Sequence, residues 1–267
     1  MEINEIVGYV LAIFVGITLG LIGSGGSILS VPILVYVLHV EPVIATGYSL
    51  FIVGSTALIG GIQKAKQKLV DFKKVLLLGI PTLLTVFLTR RFIVPKVPEA
   101  IDITNNFVIT KATLLMGVFA IVMILVSLKM IFTKPEIEVK DSTKLNYFRI
   151  IFQGIFIGLL AGFVGAGGGF LIIPTLMFFA KTPMKVAVGT SLFIVAIQSL
   201  IGFVGDLQIN TNVNWSLLLT FSILSIIGIF IGNYFAKKID SSKLKTIFGI
   251  FVLGIGVYIL IKELLLS

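Results

Sequence analysis

Gly20-Leu21-Ile22-Gly23-Ser24-Gly25-Gly26-Ser27 interrupts an apolar stretch running from about residue 6 to 39, and Gly162-Phe163-Val164-Gly165-Ala166-Gly167-Gly168-Gly169 interrupts another from about 150 to 180. A helix upright across a hydrocarbon core of about 30 Å needs roughly 20 residues, so each stretch is too long for one such helix. Clustered glycines allow positive φ, and a chain can turn there. The pattern predicts two glycine-tipped helical hairpins, at 6–39 and 150–180.

Six further segments carry almost no charge, at about 44–62, 75–89, 112–128, 186–205, 215–236 and 246–261. Of the 267 residues, 57% are hydrophobic and 12% charged, and the mean hydropathy is +1.14. A water-soluble domain of this length needs far more charged surface. Leu, Ile, Val and Phe fill the segments without the period-2 alternation of barrel strands, so the expected class is all-α, a polytopic helix bundle in a lipid bilayer.

The chain repeats itself. At an offset of 142, residues 16–60 align with 158–202 without a gap and 18 of 45 pairs are identical. The matches include Gly20 with Gly162, Gly23 with Gly165, Gly25 with Gly167, Gly26 with Gly168, Pro32 with Pro174 and Gly47 with Gly189, then Ser49-Leu50-Phe51-Ile52-Val53 with Ser191-Leu192-Phe193-Ile194-Val195. One residue more of offset aligns Val70-Asp71-Phe72 with Val213-Asn214-Trp215, where Asp71 and Asn214 are expected N-caps and Trp215 an interfacial anchor. The expected organisation is a first membrane repeat at 1–128, a cytoplasmic linker at 129–149 and a second repeat at 150–267.

Charge decides how the copies lie. If each glycine-broken stretch crosses only once, with the N-terminus inside, Lys and Arg divide 11 inside to 10 outside. With two hairpins and the N-terminus outside, 16 lie inside and five outside, the bias that multi-pass proteins show. A hairpin followed by three crossing helices is an odd number of crossings, so the copies are expected to be inverted, an architecture of secondary transporters with substrate between the repeats. Arms of roughly 12 to 17 residues favour hairpins that do not cross fully.

At the tips, amides opening the next half-helix and its dipole would hold a small anion without a buried cation. The candidate substrate-binding residues are Gly23, Ser24, Gly25, Gly26, Ser27, Gly165, Gly167, Gly168 and Gly169, with Ser49 and Ser191. The hydroxyls of Ser24 and Ser27 would add donors. Thr46, Thr190 and Gln198 could line a polar path, although a hydroxyl in a membrane helix commonly bonds its own backbone. Glycines also let helices pack closely, and Pro32 and Pro174 read as structural.

Zero cysteines exclude thiolate chemistry, and His39, the single histidine, cannot form a metal cluster. No catalytic residue, metal or cofactor is expected, and an enzyme is disfavoured. The formal charge of +9 reflects short loops between spans rather than nucleic-acid binding. Met1-Glu2-Ile3-Asn4-Glu5 lacks the basic start of a signal peptide, so none is expected.

The doubled glycine motif, the prolines beyond it, the Gly-x-Ser-Leu-Phe runs and the Val-Asp-Phe and Val-Asn-Trp helix starts resemble the TauE/SafE family of sulfite exporters over essentially the whole chain. The resemblance implies a cell-membrane transporter of a small anion such as sulfite or a sulfonate. Thr89-Arg90-Arg91-Phe92-Ile93-Val94-Pro95 has no counterpart in the second half, and Ser27 stands where the second copy has Gly169. Export by alternating access needs no acidic relay, since a potential negative inside favours anion exit by about 2.3 kcal/mol per charge per 100 mV. Glu41, His39 and Asp206 lie near span edges; an anion channel and proton-coupled uptake are the alternatives.

Overall fold

The computed structural model describes residues 3–104, 107–132, 147–165, 168–178, 180, 182–207, 213–236 and 241–265. Residues 133–146 of the expected linker at 129–149, and Gly167 of the second glycine motif, lie outside them. Among the described residues ten α-helices follow in order: α1 (Ile3–Ile22), α2 (Ser30–Tyr36), α3 (Pro42–Lys66), α4 (Phe72–Leu88), α5 (Lys111–Phe132), α6 (Tyr147–Val164), α7 (Gly169–Phe178), α8 (Met184–Leu207), α9 (Trp215–Phe235) and α10 (Ser241–Leu265). Six helices among the described residues are long and apolar enough to cross a membrane. A short antiparallel hairpin, β1 (Ala100–Thr104) and β2 (Phe107–Thr110), joins α4 to α5 and adds the strands that composition did not reveal in an otherwise helical chain.

The two breaks fall late. The first arm takes the 20 residues of α1, then a 3-10 winding over Gly23–Leu29 and only seven residues of α2; the second takes the 18 of α6 and the ten of α7. Arms of 12 to 17 residues are therefore replaced by a long arm and a short return. The reason is local: each long helix continues until the first residue that leaves right-handed helical space, Gly23 at φ +74° and its equivalent Gly165 at φ +77°.

α3 and α8 form the centre. About two thirds or more of their apolar windows are buried, 67% and 72%, against 28% for the α4 span. Leu76, Ile80, Leu84 and Leu88, four residues apart on α4, stand exposed as a lipid-facing stripe, while Val75, Leu78, Thr82 and Val86 on the same helix are buried. Asp71 and Asn214 cap α4 and α9, their side chains accepting from Lys74 N at 3.2 Å and Leu217 N at 3.1 Å. Each fixes where a peripheral helix begins.

Contacts between the halves come in reciprocal pairs. α1 packs on α9 as α6 packs on α4, α3 packs on α8, and α5 on α10. Asn214 N donates to Tyr48 Oη at 2.6 Å, and the equivalent Asp71 N donates to Thr190 Oγ1 at 3.0 Å. Phe51 meets Trp215 edge-on at 6.1 Å between centroids, as Phe193 meets Phe72 at 5.4 Å. Gly54 faces Leu200, Gly60 faces Leu192 and Gly202 faces Leu50, so the equivalent helices α3 and α8 pass each other in opposite directions. In such self-complementary packing, residue i of one copy meets j of the other and j meets i.

Candidate anion site at the glycine tips

Not every motif glycine does the same thing. Gly16 and Gly20 give α1 its close approach to α9, where a Cβ on Gly20 would lie 2.7 Å from the Ile229 carbonyl oxygen. Gly158 and Gly162 do the same for α6 on α4, where added Cβ atoms would meet Thr82 and Thr89. These four serve packing by small residues.

The next glycines form the tips. Gly23 abuts Val188 near the start of α8, and Gly165 abuts Thr46 near the start of α3. Position 46 is the equivalent of 188, so each tip reaches the start of the other copy's central helix. Gly165 N closes α6 on the Ala161 carbonyl at 2.9 Å, and Gly168, at φ +60°, supplies the carbonyl that Leu171 N and Ile172 N bond at 3.0 and 3.3 Å. The first tip is a 3-10 winding through Gly25, Gly26 and Ser27, in which backbone amides pair by i to i+3 bonds.

The tips touch. Ser24 Oγ donates to the Gly169 carbonyl at 2.8 Å, and a Cβ on Gly169 would collide with Ser24 itself. Ser27 Oγ donates back to the Ser24 carbonyl and Ser30 Oγ to that of Ser27, each at 2.8 Å, while the hydroxyls of Ser30 and Ser49 meet. Ser191 Oγ bonds the Val188 carbonyl of its own helix at 2.8 Å. All these serines are buried, and the hydroxyls of Ser24, Ser27, Ser30 and Ser191 bond backbone carbonyls. Thr190 is taken by Asp71 N, and Gln198 is buried in α8. His39 lies apart, at φ +53° and 3.5 Å from Asn4 Nδ2. Among the described residues no group of three His, Cys, Asp or Glu gathers to hold a metal.

A buried cation also stands at the second tip, although backbone donors alone were expected there. α4 passes into a π-helical turn at Thr89–Ile93, and Arg90, four residues beyond Val86, follows the inward face and is fully buried. Its Nη1 donates to Thr46 Oγ1 at 3.0 Å and lies 3.6 Å from Asp206 Oδ1 at the end of α8. Its Nη2 faces Gly165, where a Cβ would come within 2.5 Å. A signal for it was present in the sequence: Val75, Leu78, Thr82, Val86 and Arg90 keep a spacing of three or four residues. Asp206 and Lys64, equivalent at offset 142, are both buried, and each faces the Gly of the other copy's Gly-x-Ser-Leu-Phe run, Gly47 and Gly189 respectively.

Similarity to known proteins identifies the family. The model of the family described as Sulfite exporter TauE/SafE matches residues 9–259. A "Probable membrane transporter protein" of Xylella fastidiosa (strain Temecula1) is 31% identical over 252 residues, covering 92% of this chain and 91% of that protein. "Probable membrane transporter protein YunE" of Bacillus subtilis (strain 168) is 29% identical, covering 77% of this chain and 79% of its own length. No solved structure matches the chain. With a family match from the first helix to the last and multiple apolar spans, this multi-pass membrane protein belongs to the sulfite exporter TauE/SafE family of membrane transporters.

Proposed function

We propose that this transporter carries a small sulfur-containing anion, sulfite or a sulfonate, out of the cell by alternating access between two inverted copies of one hairpin-plus-three-helix unit. The observation that carries the reading is the junction of the two glycine tips at Ser24 and Gly169, each tip reaching the other copy's central helix. Backbone bare of side chains at a helix start suits a small anion. The reciprocal contacts and the opposed course of α3 and α8 support inverted copies, whose interface can open to one face as it closes to the other. The excess of Lys and Arg in alternate loops supports an outside N-terminus in the plasma or inner membrane.

The reading is tested with labelled sulfite, sulfate and a small sulfonate in proteoliposomes, comparing the native chain with Gly25→Val and Gly167→Val. Saturable flux with counterflow, abolished by both substitutions in folded protein, supports it. Single-channel currents make the protein a channel. Accumulation against the potential only with an inward proton gradient makes it an uptake carrier, and no flux of any of the three withdraws the substrate class.

A further inference from the structure

We infer that Arg90 binds the transported anion at the second glycine tip through its Nε and Nη2 edge, and that the substrate is therefore an oxyanion presenting two oxygens to that fork. The inference rests on the anion-transport reading above and assigns its binding group.

Arg90 is wholly buried, and its Nη1 is committed to Thr46 and Asp206. Nε and Nη2 have no hydrogen-bond partner among the described residues. Leaving two guanidinium donors unmatched in an apolar interior is costly, and one bond at Nη1 does not offset it. The two atoms are not a random remainder. They form one side of the planar guanidinium, which presents two parallel N–H groups at the spacing of two oxygens on a carboxylate, sulfite or sulfonate. A lysine or a helix N-terminus is a point or diffuse donor and makes no such geometric demand.

The surroundings single out this edge. Nη2 abuts Gly165, where any side chain would fill the approach to the guanidinium. Gly165 holds left-handed backbone, which L side chains rarely adopt, so the absence of a side chain beside Arg90 is built into the turn. Arg90 sits in the π-helical turn, and such single-turn departures from α geometry are frequent at functional sites. Thr89 Oγ1, buried next to it, also has no partner among the described residues. Among the described residues no cation abuts the first tip's glycine: Gly23 faces Val188 and Ile173 where Gly165 faces Thr46 and Arg90. The binding site is asymmetric although the scaffold is doubled.

A purely structural role would be an ion pair tying the end of α4 to the end of α8, and the test separates the two. Purified protein in proteoliposomes is assayed for methanesulfonate and sulfite uptake, with chloride, a spherical anion without oxygens, as a competitor. Arg90→Lys keeps the charge beside Asp206 and loses the fork; it is expected to raise KM for both oxyanions at least tenfold while chloride competition changes less than threefold. Arg90→Gln with Asp206→Asn leaves no lone buried charge, and the doubly neutral protein, monodisperse by size exclusion, is expected to lose saturable oxyanion uptake. Arg90→Lys with native KM, or a folded double variant with native KM, overturns the assignment and leaves anion transport standing. A native chain that moves neither oxyanion brings down the transport reading and the assignment together.

Discussion

Ser24 Oγ, from the first copy, donates at 2.8 Å to the carbonyl of Gly169, from the second, so the two hairpin tips are held to each other by a buried side chain-to-backbone bond rather than through intervening side chains. Gly169→Ala has no space for its methyl group, because Ser24 occupies it. The tips must separate, and transport is expected to fall to under a tenth of native in protein that still inserts, checked by flux per monodisperse protein. Ser24→Ala removes this bond while the Gly169 carbonyl keeps its place in the first turn of α7, so the loss is that of one made hydrogen bond, about 0.5–1.5 kcal/mol, and a thermal melt in detergent should show a lower midpoint.

The packing glycines should behave differently from the tips. Gly16 lies against the Ser225 backbone of α9, so Gly16→Leu is expected to separate α1 from α9 and remove the folded protein altogether. Gly117 and Gly254 have nothing within 4 Å of an added Cβ. Gly117→Ala and Gly254→Ala should leave flux unchanged and raise helix stability by up to about 1 kcal/mol each. Fluorescence-detected size exclusion of the three variants checks this directly.

How legible each level was follows from the range of the forces involved. Membrane class, the caps at Asp71 and Asn214 and the glycine breaks are local and were open to reading, because hydropathy, capping and φ preference act within a few residues. The lengths of the hairpin arms were not, since they depend on which glycine of several leaves the helix: Gly23 does, whereas Gly16 and Gly20 stay helical to pack on α9. Arg90 was passed over because it stands beside Arg91 at the end of an apolar run, where a pair of arginines reads as a loop charge. Only the inward face shared with Val86, Thr82 and Leu78 distinguishes the two. The β1–β2 hairpin did leave a short signal, the alternation Ile101-Asp102-Ile103-Thr104 before Asn105-Asn106, too brief to stand out beside the apolar spans.

Equivalent positions should lie on opposite faces of the membrane. The chain has no cysteine, so single cysteines report without background. Lys73 and Ser216 are exposed equivalents in the first turns of α4 and α9. In intact cells a membrane-impermeant maleimide is expected to label Ser216→Cys, while Lys73→Cys labels only after permeabilisation. Labelling of both from the same side would end the inverted-copy reading, whatever the flux assays give.

If Arg90 binds the anion as inferred above, Asp206 is expected to set how tightly it is held. A buried Arg with no counter-charge would bind an oxyanion strongly and release it slowly, because inside a protein the attraction is screened far less than in water. Asp206 Oδ1, 3.6 Å from Arg90 Nη1, offsets that attraction from the side away from the Nε and Nη2 edge. Asp206→Asn keeps the size of the side chain and removes the competing charge. Apparent KM for sulfite should then fall, by about tenfold if the neutralised interaction is worth 1.4 kcal/mol, and maximal flux should fall with it because release becomes limiting. Initial-rate measurements over a range of sulfite concentration separate the two parameters. If Asp206 served only to anchor α8 to α4, its replacement would instead lower maximal flux and thermal stability while KM stayed unchanged.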